Sequence, residues 1–217
     1  SAASDVYKRQ TWHTPNGRKV SIMLEEIGMD YSVFPINIAK DEQFQPHFLE
    51  VSPNNRIPAI VDKSNNDYAL FESGAILMYL AEKSGKLINK SNSDEYFRTR
   101  EWLMWQMGGV GPMFGQVHHF VKYNKGKSQY AEERYSKEAR RLYSVMDKRL
   151  NSNQYISGKE YSIADISIWP WTARFDWQEI DLNDFPNVAR WYKEMIDRPA
   201  VQKGWLVPQN DQLIPKI

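Results

Sequence analysis

Two adjacent residues, Glu72 and Ser73, offer complementary chemistry where a strand pattern gives way to a helix pattern. A helix N-terminus favours anions. Ser73, through its hydroxyl and backbone N–H, suits a carboxylate, and Glu72 suits an ammonium group. Together they suit the amino-acid end of a ligand; an ordinary helix cap accounts for the same pair equally well. A second feature lies in residues 52–62, SPNNRIPAIVD. Pro58 stands just before a strand. A cis Ile57–Pro58 bond would present the Ile57 backbone to a ligand as an additional strand edge. A trans proline that only begins the strand is the commoner arrangement.

Other clusters are weaker. The glycine-rich residues 109–115 follow a helical pattern, not a strand, and lack the spacing of a phosphate loop. A helix kink or close packing is expected there. His118 and His119 are adjacent, not four apart on one helix face, and His13 and His47 are the other histidines, so no metal site is expected. Glu25 and Glu26 are helix neighbours that point apart. The basic residues between positions 122 and 149 read as a solvated helix face.

Cysteine is absent from the 217 residues. That removes disulfides, Cys-ligated zinc, iron–sulfur clusters and a cysteine nucleophile. Any thiol chemistry needs a thiol brought by a ligand. Lys plus Arg is 28 against 27 Asp plus Glu, a net charge of +1, which carries no nucleic-acid footprint. With 41% hydrophobic and 25% charged residues the chain reads as globular. Its longest apolar run, residues 75–81, is far short of the ~20 a membrane span needs. No basic start leads into an apolar stretch, so no secretory signal is expected and a cytoplasmic location is.

The elements that must hold these residues follow from periodicity. Thr14 is a good N-cap and Pro15 a good first helical residue. Val20, Met23, Leu24 and Ile27 then share one face, and Gly28 is a suitable stop. Residues 32–38 alternate, with Phe34, Ile36 and Ile38 on one side. Residues 59–62 and 68–71 are short strands around a polar turn, and a helix covers residues 73–83, ended by Gly85. From Ser93 onward only helices are expected: residues 94–107, 129–150, one opening at Ser162-Ile163-Ala164-Asp165 as a capping motif, and one near Pro186. The expected domains are 1–85, mixed α/β, and 93–217, all helical, joined by the polar link GKLINKSNS. Lys8, Arg9 and Gln10 fit poorly in a buried central strand over residues 7–12. An artificial or sequencing remnant, or a partly exposed strand, accounts for them; residues 1–6 are expected to be dispensable.

The β-α-β-β-β-α order, the Ile57-Pro58 step, Glu72-Ser73 and the later SIAD box together resemble a cytosolic glutathione transferase across about residues 11–205. TPNG, DEQFQPHFL, SPNNRIPAIVD, LFESGAILMYLAEK, WLMWQMGGVGPMFGQVHHF and YAEERY resemble the bacterial Nu class, glutathione-dependent disulfide-bond oxidoreductases. A fungal nitrogen-regulator branch is similar. The resemblance implies a thioredoxin-like N-terminal domain, an all-helical C-terminal domain, a homodimer and a cis Ile57–Pro58 bond.

It also implies roles residue by residue. Thr14 and Asn16 match the positions beside the glutathione sulfur. Gln43 matches a glutamine touching the tripeptide, and Ile57 matches the residue whose backbone pairs with the cysteinyl unit. Glu72 and Ser73 match the pair that holds the γ-glutamyl end, and Arg134 an arginine of the helical domain that reaches the ligand. A helix N-terminus and donors such as Thr14 and Asn16 lower a thiol pKa from ~8.5. The implied activity is disulfide reduction or transfer with glutathione as cofactor, acting on small disulfides, peroxides or electrophiles. A non-catalytic regulator is the alternative. The regulator branch carries a long polar extension before the fold, and its absence here favours the enzyme. Trp102, Trp105, Met107, Met113, Phe114 and His119 line a second-substrate pocket or are simply core.

Overall fold

Tyr7, Arg9 and Thr11 alternate inward along a short run, and that run becomes the first strand of a four-stranded sheet. The computed structural model describes residues 6–217. The strands are β1 (Tyr7–Thr11), β2 (Tyr31–Pro35), β3 (Ala59–Asp62) and β4 (Tyr68–Phe71), in the order β2-β1-β3-β4. β1 and β2 are parallel; β3 is antiparallel to both its neighbours. Helix α1 (Pro15–Ile27) connects the parallel pair, a one-turn α2 (Pro46–Leu49) lies in the loop before β3, and α3 (Ser73–Ser84) follows β4. This is a thioredoxin-like sheet.

The ends of α1 follow its sequence. Thr14 Oγ1 accepts from the Gly17 N–H at 3.2 Å, Pro15 fills the first helical position, and Gly28 turns left-handed at φ 70° to close it. β2 is shorter than the alternation predicts. Asn37 Oδ1 accepts from the Ala39 N–H and starts a tight turn, so the strand stops at Pro35. Ile36 is buried while Phe34 and Ile38 are exposed, so the three do not share a face.

The chain divides into two compact units. The first contains the sheet and runs to Lys86; Arg198–Leu213 return to it. The expected boundary placed all of 93–217 with the helices. The difference lies in α9 (Pro199–Trp205), which packs on α1. A β-carbon on Gly204 would stand 2.6 Å from the Ile22 backbone nitrogen, so only glycine permits that approach. Arg18 stacks 3.5 Å over the Trp205 ring and donates to the Trp205 carbonyl, and Arg198 grips Glu26 through two hydrogen bonds.

The second unit is Leu87–Asp197 with Ile214–Ile217. It holds α4 (Asp94–Trp105), α5 (Gly111–Val117), α6 (Gln129–Asn151), α7 (Ile163–Thr172) and α8 (Pro186–Ile196). A π-helical turn, Gln106–Val110, joins α4 to α5, and a second, His118–Tyr123, follows α5. The glycine-rich stretch is therefore helical. The capping motif is present: Asp165 accepts from the Ser162 N–H at 3.0 Å, and also from Trp191 Nε1 at 2.9 Å. Burial raises the Asp165 pKa to about 6 against these donors. No helix of the described residues is long and apolar enough to cross a membrane.

Residues 1–5 lie outside the described residues. Val6 is tied in, its carbonyl accepting from the Lys63 N–H at 2.9 Å. Of the three residues that sit awkwardly in β1, Lys8 and Gln10 are partly exposed and Arg9 is fully buried.

Candidate functional site

Strand register gathers the predicted site residues of the first unit at one end of the sheet. Thr11 pairs with Pro35, Gln10 with Ala59, and Ala59 with Phe71. Thr14 and Asn16 follow the end of β1, and the loop carrying Gln43 follows the end of β2. Ile57 precedes the start of β3, and Glu72-Ser73 follow the end of β4. All of these segments issue from the same end of the sheet.

Each is held by its own local chemistry. The Thr14 hydroxyl accepts from the Gly17 N–H as a helix cap, so its proton remains a donor. Asn16 lies in the first turn of α1, where backbone N–H groups and the helix dipole favour negative charge. The Ile57–Pro58 peptide is cis. Buried Ser52 donates to the Arg56 carbonyl at 2.8 Å, and Asn55 takes a left-handed φ of 49°, which together fold the loop before it. Ile57 and Phe71 pack on the buried cluster of Ile36, Phe48 and Ala59, which floors this end of the sheet.

Gln43 is buried beside Asp41, and its Oε1 has no hydrogen-bond partner among the described residues. An unsatisfied buried carbonyl costs ~1–3 kcal/mol, so this oxygen is suited to a donor from a ligand. Glu72 adopts φ 70° and ψ 112°, a strained backbone for a residue with a side chain. Glu72 is exposed there, while the next residue, Ser73, turns inward to 4% exposure. Behind Ser73 stands Lys19 of α1. It is fully buried and donates to Ser73 Oγ at 3.1 Å. Burial presses its pKa down to about 7, against the pull of the Glu72 carboxylate.

Lys19 escapes the sequence reading, because a lysine on an amphipathic helix reads as solvated. The available signal is its place four residues before inward-facing Met23. Arg134 belongs to the second unit. It is exposed on α6, where it lines a hollow of about 700 Å³ with Met113, Tyr130, Tyr135 and Lys137. Of the aromatic and sulfur-bearing residues considered for a second pocket, Phe114 is core, Trp102 and Trp105 form an edge-to-face pair, and His119 is exposed.

The arrangement is suited to a polar ligand with an amino-acid end. It offers a helix N-terminus with hydroxyl and amide donors, a proline-shaped turn, and an acidic–hydroxyl pair suited to an amino-acid end. The class so defined is a thioredoxin-like domain joined to a helical unit. Residues 8–82 match the N-terminal domain of glutathione S-transferase and residues 110–199 the C-terminal domain. The chain belongs to the glutathione S-transferase family.

Disulfide-bond oxidoreductase YfcG of Escherichia coli K12 is 46% identical over 200 residues, covering 90% of this chain and 93% of the relative. A glutathione transferase family member from Pseudomonas fluorescens, solved with two glutathione bound, superposes with a TM-score of 0.89 at 44% identity, covering 94% of each chain. A Pseudomonas putida glutathione transferase, solved with one glutathione disulfide per subunit, gives a TM-score of 0.89 at 41% identity, covering 96% of this chain and 94% of that one.

Proposed function

We propose that this protein is a glutathione-dependent disulfide-bond oxidoreductase with transferase or peroxidase side activity. The observation that carries the reading is that the segments bearing Thr14, Asn16, Gln43, Ile57 and Glu72-Ser73 all leave the same end of the sheet. The similar chains from Pseudomonas, solved with glutathione or its disulfide, and the relative named as a disulfide-bond oxidoreductase support it.

Bound glutathione would supply the thiol that exchanges with a substrate disulfide, two glutathione thiols being oxidised for each disulfide reduced. The chain's own residues bind and tune. Glu72 and Ser73 hold the ammonium and carboxylate of the γ-glutamyl end. The Ile57 backbone pairs with the cysteinyl unit, and the Gln43 side chain meets the peptide. Thr14 and Asn16 donate to the sulfur, favouring its anion. The absence of cysteine fits this division of labour, since no protein thiol competes for the substrate. Arg134 enters the proposal on the resemblance alone, as do a homodimer and a cytoplasmic location.

The test is reduction of a small disulfide by glutathione, coupled to reoxidation of NADPH by glutathione reductase, beside calorimetric titration of glutathione. E72A and S73A should each weaken binding by about tenfold or more, the cost of a lost charge-assisted bond. R134A belongs in the same titration. Wild-type affinity in both E72A and S73A would remove the site. Binding without turnover in the wild type would leave a non-catalytic glutathione-binding protein.

A further inference from the structure

The turn that carries Thr14 and Asn16 is closed by Arg18, whose backbone N–H donates to the Thr14 carbonyl at 2.9 Å. The Arg18 side chain leaves that turn fully buried. Its guanidinium lies 3.5 Å over the Trp205 ring, Nε donates to the Trp205 carbonyl at 3.1 Å, and Nη2 donates to Gln212 Oε1 at 2.9 Å. Arg18 and Gln212 stand 194 positions apart in the sequence. A planar guanidinium that stacks and donates along two fixed directions is held in one orientation, which a flexible ammonium would not be.

The other side of this contact is built with the same care for direction. Beyond α9 the chain folds back, and Trp205 Nε1 donates to the Gln212 carbonyl at 2.7 Å. Asn210 Nδ2 donates to the Pro208 carbonyl at 2.8 Å and to the Trp205 carbonyl at 3.3 Å, while Asn210 Oδ1 accepts from the Gln212 N–H at 3.0 Å. Residues 205–212 are thereby closed into a loop that presents the Gln212 side chain to Arg18. Gly204, next to that loop, lies against the Ile22 backbone, one helical turn beyond Arg18. The loop and α1 belong to the same compact unit.

We propose that Arg18 is a positioning residue for the thiolate donors and that the loop of residues 205–212 is the clamp through which it acts. The loop holds the guanidinium, the guanidinium holds the first turn of α1, and that turn sets where Thr14 and Asn16 meet the glutathione sulfur. The inference rests on the reading that Thr14 and Asn16 donate to that sulfur. It assigns Arg18, Asn210 and Gln212 no contact with glutathione. Such support matters because a site has to be held to within about 0.5 Å by the residues behind it. A displacement of about 1 Å from a distant change can cost about a hundredfold in rate.

The experiment follows the thiol pKa of bound glutathione, by thiolate absorbance against pH in the full-length protein, beside calorimetric affinity and melting curves. The variants are R18M, R18K and N210A/Q212A. Methionine keeps an apolar stem that packs on an indole ring but donates nothing. Lysine keeps the charge without the planar fork, and N210A/Q212A opens the loop while leaving the sequence of α1 unaltered. All three should raise the bound thiol pKa by about half a unit or more, which is about threefold in the thiolate equilibrium. A merely structural arginine and loop would lower the melting temperature and leave that pKa where the wild type has it. A wild-type pKa in N210A/Q212A would therefore overturn the proposal. So would a wild-type pKa in R18K beside a raised one in R18M, because charge alone would then carry the effect. If R18M loses its cooperative transition, N210A/Q212A decides alone, with the same two results. A wild-type protein that leaves the bound thiol at its free value of ~8.5 would instead remove the reading of Thr14 and Asn16, and the proposal with it.

Discussion

Gly17 lies against the carbonyl of Trp12 so closely that a β-carbon on Gly17 would stand 2.0 Å from that oxygen and 2.8 Å from Thr11 Oγ1. Both partners belong to the strand end that leads into α1, and the nearer one is backbone, so it cannot swing aside. The first turn of α1 is therefore seated on the end of β1 by the absence of a side chain at one position. That turn carries Thr14 and Asn16. G17A should lift it, costing ~1–3 kcal/mol of stability as overpacking does. It should also weaken glutathione binding, because the proposed donors to the sulfur, Thr14 and Asn16, move with the turn. Urea unfolding and calorimetric titration of G17A check the two effects together.

Asp62, at the end of β3, is fully buried yet ionised. Burial alone would raise its pKa. The Lys83 ammonium, the Ser64 hydroxyl at 2.7 Å and the Tyr79 hydroxyl at 2.7 Å outweigh burial and hold the carboxyl at about 2. A folded pKa below the unfolded value of ~3.9 gives stability that is fully present above pH 4 and is lost as pH falls toward 2. The amount is roughly 2 kcal/mol at neutral pH. D62N should lose about that much or more at pH 7, and its stability should depend less on pH below 4. Urea midpoints taken from pH 7 down to 3 in both proteins test this; parallel curves would exclude Asp62 as the source.

Arg9 is an unfavourable residue for a central strand. It is fully buried, it donates to Thr11 Oγ1 and the Gly17 carbonyl at 2.6 Å each, and its Nε and Nη1 have no partner among the described residues. Burial lowers its pKa to about 9, with Tyr31 and Glu25 opposing. Replacing a poorly satisfied buried charge with an apolar side chain is often neutral or stabilising by 1–4 kcal/mol. R9L should therefore raise the urea midpoint without weakening glutathione binding. A midpoint lowered by R9L would show that the two hydrogen bonds outweigh the desolvation.

Much of the candidate site's placement was legible because its residues sit at element ends, where sequence signals are strong. Thr14-Pro15 and Gly28 marked both ends of α1, and Glu72-Ser73 marked the start of α3. The parts that escaped depend on contacts distant in sequence. Lys19 reads as a surface lysine until α3 is laid beside α1. α9 has little periodicity of its own and is placed by Arg18, Trp205 and Gly204. The end of β2 was missed for a local reason, the Asn37 side chain offering the backbone an alternative to the strand.

Thr14 performs one role visibly, and the second is separable from it. As a cap it accepts from the Gly17 N–H, so T14A should cost ~0.5–2 kcal/mol of stability whatever else it does. As a donor to a bound thiolate it should also hold the thiol pKa down, each unit corresponding to ~1.4 kcal/mol. T14S retains both the cap and the hydroxyl proton, so stability and pKa should both stay near wild type. Asn16 is inside the helix and is not the cap, so N16A should change stability little while raising the thiol pKa and slowing disulfide reduction at neutral pH. The measurement is thiolate absorbance against pH with glutathione bound, run beside the reductase assay. A thiol pKa unmoved in both T14A and N16A would assign thiolate stabilisation to the helix dipole and backbone N–H groups alone. A pKa raised in T14A and N16A but not in T14S would assign it to the side-chain donors.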